Sequence, residues 1–268
     1  MIQVTLISLY GEKEAKLTKL ITDCQIAVKQ TLGDAFTPYD FRQIHATIVG
    51  LERRIGSAYQ NLNFWKWKQR EVQMYLDGFL NFFRRCSHIP FKAQVGGFGD
   101  RGYPFLSDPF ERGESDRPYD RSFSIRGDKV VVMGWPLRGL PRKSPPAQPH
   151  EFVQESRTYP QTLDEIRHTA QKFGILHGYH RTPTAVDNDL FFRIGILKAN
   201  PHDTDIGKSL AKQIRTTLSA REPVCVEITL DDLYVAAYDD DSLPLKTTQV
   251  WSLADRRVSG QFVADLYR

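Results

Sequence analysis

Cysteine is scarce in this chain. Only Cys24, Cys86 and Cys225 occur among 268 residues, with no CxxC pair. An odd, unpaired set argues against a disulfide framework and against a cysteine-built metal site. Cys24 and Cys225 fall at apolar positions and read as buried thiols. Cys86, in FRRCSH, stands beside cations able to lower its pKa. Long apolar runs are also lacking, and no stretch approaches the ~18 residues of a membrane span. The opening MIQVTLISLYG has no basic n-region and is too short for a secretion signal, so the expected setting is cytoplasmic, with no membrane partner. There is no P-loop, Rossmann glycine pattern, nucleophile elbow or zinc signature. Charge is nearly balanced, at +4, which suits a phosphate-bearing ligand without requiring one.

What the chain does contain is an alternation of short apolar strands and striped helices. IQVTLISLY (2–10) predicts a strand, and 12–33 predicts a helix whose stripe is Leu17, Leu20, Ile21, Cys24, Ala27 and Val28, with Gly33 placed to end it. A second strand follows in FRQIHATIVG (41–50). Residues 66–86 predict a further helix, with Val72, Tyr75, Leu76, Phe79, Leu80 and Phe83 on one side. IPFKAQVGGFG (89–99) predicts a strand ending in glycines, and 122–135 a hairpin turning near Gly127-Asp128. Residues 100–121 have no period and read as a long loop. Its arginines Arg101, Arg112, Arg117 and Arg121 can meet an anion, or pair with the acids between them. A proline-rich connection, 136–160, leads to a helix at 161–173, a strand at 189–199, a helix striped by Ile206, Leu210, Ile214 and Leu218, and strands at 223–230 and 232–240. Two halves with the same grammar predict an α+β or α/β chain with two lobes, a single bilobal domain over 1–268. The first lobe spans about 1–99 and the second-lobe elements about 161–268.

Polar residues inside apolar strands are the candidates for chemistry. His-x-Thr occurs at His45-Ala46-Thr47, at His180-Arg181-Thr182 and at His202-Asp203-Thr204. Only the first lies in an alternating apolar run. Alternation puts Ile44, Ala46 and Ile48 toward a core and Gln43, His45 and Thr47 on the other face. Such a pair can hold a phosphate or move a proton; it can also be one half-buried face of a sheet.

IHATIVG, the glycine-ended IPFKAQVGGFG and the closing PVCVEITLDDLYVAAYDDDSLP together resemble the 2H phosphoesterase superfamily, which includes RNA 2′,3′-cyclic phosphodiesterases of the 2′-5′ RNA ligase-like type. The resemblance implies two pseudo-symmetric lobes, each with an antiparallel sheet and helices around a central cleft. It implies one His-x-Thr/Ser strand per lobe, metal-independent catalysis without cofactor, and an RNA end, a cyclic nucleotide or a short oligonucleotide as partner. On that pattern His45 and Thr47 are the catalytic residues. The second motif departs from it: FFRIGIL puts Arg193 where a histidine would stand and Gly195 where a hydroxyl would stand. A guanidinium can clamp phosphate with its fork of donors, but with a pKa above ~12 it is neither a base nor a useful acid.

Arg193 needs a cleft or an acid partner, with Asp187 and Asp189 as candidates. His177 and His180, in LHGYHRTP, are further phosphate-binding candidates and could replace the missing acid if their loop folds over the cleft. Their i, i+3 spacing also suits a metal pair, but no cysteine or carboxylate at ligand spacing completes it, so no metal is expected. FWKWKQR (64–70) interleaves aromatics and cations, as nucleic-acid surfaces do, or packs its rings while the lysines snorkel. Three functions follow: a phosphodiesterase with a degenerate second motif, a non-catalytic nucleotide- or RNA-binding module in the same cleft, or a structural interaction protein.

Overall fold

The structure is a computed structural model and describes residues 1–56, 59–98, 118–137, 161–181, 187–198 and 205–268. Most of the 100–121 loop, the connection beyond residue 137, Thr182, His202 and Thr204 lie outside the described residues.

The apolar opening run forms strand β1 (Gln3–Ser8). Helix α1 (Ala15–Leu32) buries Leu17, Leu20, Ile21, Cys24 and Val28 in one stripe and ends at Gly33, whose φ of 54° is easiest for a residue without Cβ. Two short strands follow, β2 (Phe36–Pro38) and β3 (Ala46–Gly50). The single helix expected over 66–86 is two: α2 (Leu62–Lys68) and α3 (Leu76–Arg84). Gln69 turns left-handed at φ 53° and closes α2 through its N–H to Phe64 and Trp65 carbonyls. The chain then bridges back, Gln73 beside Gln60, so Val72 and Tyr75 never join the stripe of α3.

Strand β4 (Phe91–Val95), helix α4 (Pro118–Arg121) and the hairpin of β5 (Phe123–Arg126) and β6 (Lys129–Leu137) come next. The hairpin turns at Gly127 (φ 61°) and Asp128. After α5 (Thr162–Ala170) come β7 (Leu190–Leu197), α6 (Asp205–Ala220), β8 (Val224–Ile228), β9 (Leu233–Tyr238), β10 (Gln249–Ser252) and α7 (Gly260–Asp265). On α6 the buried stripe is Gly207, Leu210, Ile214 and Leu218; Ile206, expected in it, is 60% exposed.

The chain is therefore α+β, with seven helices and one ten-stranded sheet among the described residues. The path runs β10-β9-β1-β3-β7-β6-β4-β8, with β2 added to β7 and β5 to β6; every pairing is antiparallel. Spatial order does not follow chain order: β4 pairs with β6 and β8, whereas β9 and β10 lie beside β1. The join between the two four-stranded stretches is narrow, a single register pair of Ala46 with Phe192. One face of the sheet carries the main core, built with the apolar stripes of α1, α3, α5, α6 and α7. The opposite face carries two smaller apolar clusters, one of Ile7, Ala236, Tyr238 and Leu243, the other of Val131, Met133 and Trp135. The narrow join lies between them. No helix among the described residues is long and apolar enough to cross a membrane.

Candidate functional site

His45 is the residue before β3. Ile44, Ala46 and Ile48 are buried in the main core, and His45 and Thr47 keep partial exposure on the other face. The imidazole Nδ1 lies 2.9 Å from the Gln43 carbonyl, which can only accept, so Nδ1 carries the proton and Nε2 presents a lone pair. Burial pushes the His45 pKa down to about 4, and the positive charges of Lys13 and Arg193 act in the same direction against the Gln43 bond and Asp241. At neutral pH this is an uncharged imidazole. Tyr10 lies beside it, ring centroids 6.2 Å apart. Lys13 donates to the Gly11 carbonyl at 2.9 Å and to the Phe41 carbonyl at 2.5 Å, and burial lowers its own pKa to about 8. Sequence reading passed over Lys13; its place just past the end of β1, beside the turn that leads to β3, was the available signal.

Arg193 lies on β7. Continuing the antiparallel register one step from Ala46–Phe192 makes His45 and Arg193 neighbours across the join, and their charges are close enough to interact. The guanidinium lies over the Tyr39 ring at 5.4 Å, and its Nη1 donates to Asp241 Oδ1 at 3.0 Å. Asp241 also pairs with Lys129 at 3.2 Å. The partner acid is thus Asp241, in the turn after β9, rather than Asp187 or Asp189. Arg193 Nε is buried and has no partner among the described residues.

Gly195 does not accompany Arg193. The β6–β7 register slips, pairing Val131 with Arg193 and Val130 with Gly195, so Ile194 is one extra residue. Such a bulge reverses the alternation beyond it. Ile194 and Gly195 are both buried, Ile196 comes out, and a Cβ on Gly195 would lie 2.3 Å from the Phe36 ring. The position expected to bind phosphate is therefore packed against the core. Thr47 keeps its place two residues from His45, because the matching slip in β3 falls after it, at Ile48. Its hydroxyl has no hydrogen-bond partner among the described residues.

On the other side of the join, the β3–β7 ladder is interrupted by a side chain. Arg167 of α5, 2% exposed, donates to the carbonyls of Ile48 (2.9 Å), Thr47 (2.9 Å), Asp187 (2.9 Å) and Asp189 (3.1 Å), and pairs with the Asp187 carboxylate at 3.1 Å. Arg167 thus holds carbonyls of β3 and of the segment just before β7, beyond the single ladder pair. His177 completes the wedge: Gly50 N–H points at its Nδ1 at 3.5 Å, and its Nε2 lies 3.3 Å from Asp187. Burial lowers the His177 pKa to about 4, with Arg167 adding to the effect. For Asp187, burial alone would raise the pKa, but Arg167 and His177 outweigh it and hold the carboxyl well below its usual range. Asp189 accepts from Trp135 Nε1 at 2.7 Å and from Arg121 at 2.6 Å. Arg121 is thus committed to a buried pair.

The loop histidines are both interior. His180, 1% exposed, lies 2.9 Å from Asp164 through Nε2. The structure places His177 against the end of β3 and His180 against α5, and gives neither a contact with His45 or Arg193. Cys86 is buried with its pKa raised by that burial, so the flanking arginines do not activate it; Arg84 instead donates to carbonyls of Leu253, Asp255 and Val258. Cys225, expected buried, is partly exposed. In α2, Phe64 is buried, while Trp67 has Arg181 at 4.1 Å and Lys66 at 4.8 Å over its ring.

No family model matches the chain, and no curated protein matches it. Among solved structures, the crystal structure of TT0787 of Thermus thermophilus aligns over 93% of each chain, at 11% identity and a TM-score of 0.32.

Proposed function

We propose that the join between β3 and β7 is a phosphodiester-binding cleft of the 2H phosphoesterase type, acting on an RNA end, a cyclic nucleotide or a short oligonucleotide, with one of its two proton-transfer groups replaced. In this reading the stretches β10-β9-β1-β3 and β7-β6-β4-β8 are the two lobes. The observation that carries it is the register pair of Ala46 and Phe192, which sets His45 and Arg193 at facing positions, with Lys13 acting on His45 and Asp241 shared by Arg193 and Lys129. A phosphate oxygen would give the unpartnered Arg193 N–H an acceptor.

The roles follow from protonation. His45 is neutral with Nε2 free, so it serves as the base that takes the proton from the attacking water or hydroxyl. A bound phosphate would raise its pKa and strengthen that role. Thr47 donates to a non-bridging oxygen, and Arg193 clamps the phosphate and steadies the charge that develops. When the P–O bond to the leaving oxygen breaks, Arg193 cannot give the proton it needs, so that proton comes from solvent or from Lys13, whose pKa burial lowers to about 8. Loss of a positioned acid costs about 10²–10⁴ in rate. Slow turnover is therefore the expectation.

A second reading, a binding module that senses or sequesters a nucleotide, is favoured by the same residue: a guanidinium binds phosphate without exchanging protons, and Arg193 is already braced by Asp241. One experiment separates them. The purified chain is incubated in chelator with a 2′,3′-cyclic nucleotide and with a 2′-5′-linked oligonucleotide, and binding and product are both measured. Metal-independent turnover that His45→Ala abolishes supports the enzyme, and Arg193→His should then raise the rate. Binding without turnover, weakened by Arg193→Ala, supports the module. Neither binding nor turnover refutes both and leaves an interaction protein.

A further inference from the structure

We infer that Asp164, His168 and His180 form a site for one divalent transition-metal ion of the zinc class, which fastens the 177–181 turn to helix α5. Their ligand atoms lie within 4.8 Å of one another. Asp164 and His168 are one helical turn apart on α5, an i, i+4 spacing that stacks both on one face. His180 comes to them from the turn after the helix. This is why sequence spacing missed the site: the carboxylate and second imidazole that complete a histidine pair arrive from a different element.

The distances suit an ion. Two ligands of a tetrahedral zinc at ~2.0–2.1 Å are about 3.3 Å apart. Asp164 Oδ1 is 2.9 Å from His180 Nε2 and Asp164 Oδ2 is 3.2 Å from His168 Nδ1; His168 Nδ1–H also faces the Asp164 backbone carbonyl at 3.0 Å, a bond the ion would replace. The two imidazole rings are side by side, centroids 4.3 Å apart and tilted by 38°. The surroundings are already braced. Asp164 Oδ1 accepts from the Asp187 N–H at 2.8 Å, and Asn188 Oδ1 accepts from the N–H groups of Leu163 (3.1 Å) and Asp164 (3.5 Å) at the start of α5. Such outer contacts fix a metal-binding carboxylate before the ion arrives. His168 keeps 40% of its side-chain surface, which gives an entry path and room for a water in the fourth position.

The buried His180 ring also carries an unmet polar atom. With Nε2–H given to Asp164, His180 holds its lone pair on Nδ1, and that atom is sealed from solvent with no partner among the described residues. An ion pair alone leaves this imidazole half-satisfied in a buried place. An ion bound through Nε2 replaces the proton shared with Asp164 and leaves Nδ1 as the ring N–H. Imidazole and carboxylate donors favour zinc, nickel or copper over magnesium or calcium. The site lies behind the β3–β7 join, on the helix that carries Arg167, so the ion's role is to hold the wedge in place and not to touch substrate. It stands independently of the phosphodiester reading.

The test uses the full chain stripped with chelator, in a Cys225→Ser background that removes the partly exposed thiol. Zn²⁺ is titrated in competition with a chromophoric chelator, and Co²⁺ is added separately to read its visible ligand-field bands. The expected result is one equivalent bound, tetrahedral Co²⁺ bands, and a rise in melting temperature with Zn²⁺. His168→Ala, at a half-exposed position, should leave the metal-free melting temperature unchanged and weaken Zn²⁺ binding at least tenfold, as should Asp164→Asn. Binding of less than one equivalent at micromolar Zn²⁺, or affinity unchanged in both variants, overturns the proposal.

Discussion

Replacing Arg167 with methionine tests how this sheet is held open. The side chain is 2% exposed and serves four backbone carbonyls and one carboxylate. Methionine fills much of the volume but donates nothing. Four carbonyls then lose this donor at once, and the buried Asp187 carboxylate loses its cation, keeping only His177 and the Asp189 N–H. The individual bonds cannot be summed, because some groups will find water or each other. Breaking one buried ion pair by removing a single partner costs about 3–5 kcal/mol, and that is the expected loss. It is a large part of the ~5–15 kcal/mol that holds a typical domain folded. Arg167→Lys should fall between, since one ammonium keeps the charge but cannot span four carbonyls in a plane. Adding Asp187→Asn to Arg167→Met should recover part of the loss by neutralising the stranded carboxylate. The assay is urea unfolding followed by far-UV circular dichroism and by tryptophan fluorescence. Trp135 is a local reporter, being buried with its N–H on Asp189, the residue whose carbonyl Arg167 holds. A loss below about 1 kcal/mol, the range of an exposed pair, would refute the wedge.

Acid should weaken the fold in a defined window. His45 and His177 both titrate near 4 in the folded chain against 6.5 when exposed, so between those values the unfolded chain binds protons that the native chain refuses. Stability is complete above pH 6.5 and falls as pH drops toward 4, with deeply buried His177 contributing about 3 kcal/mol and partly exposed His45 less. Asp187, held low, adds its loss only below the usual carboxylate range. A urea midpoint flat from pH 7 to about 4.5 would contradict this assignment. Gly195→Thr, the substitution that superficially restores the family motif, should instead damage the fold. Its Cβ would meet the Phe36 ring at 2.3 Å and the Thr37 carbonyl at 2.6 Å, and overpacking of this kind costs about 1–3 kcal/mol or more. Unchanged thermal stability in that variant would show that the bulge does not turn Gly195 inward.

Local pattern determined more of this molecule than its site. The stripe of Leu17, Leu20, Ile21, Cys24 and Val28 is a helix because its spacing repeats within one turn, and Gly33 ends it because of its own φ. The alternation around His45 needs only neighbouring residues, and the turn at Gly127-Asp128 needs two. These are short-range facts, carried by covalent geometry and burial, so the letters display them. Three things are not short-range. A bulge at Ile194 slips the period because β7 must match β6, and nothing within FFRIGIL announces that Gly195 will turn inward. The partner of Arg193 is Asp241, 48 residues away, and the partner of His180 is Asp164, on another element. Above all, the join of β3 and β7 is one residue pair wide, and Arg167, an ordinary helix residue by sequence, fills the gap beyond it by donating to the Thr47, Ile48 and Asp189 carbonyls. Which acid meets which base, and where a sheet parts, depend on three-dimensional competition for buried hydrogen bonds, and only the folded chain decides it.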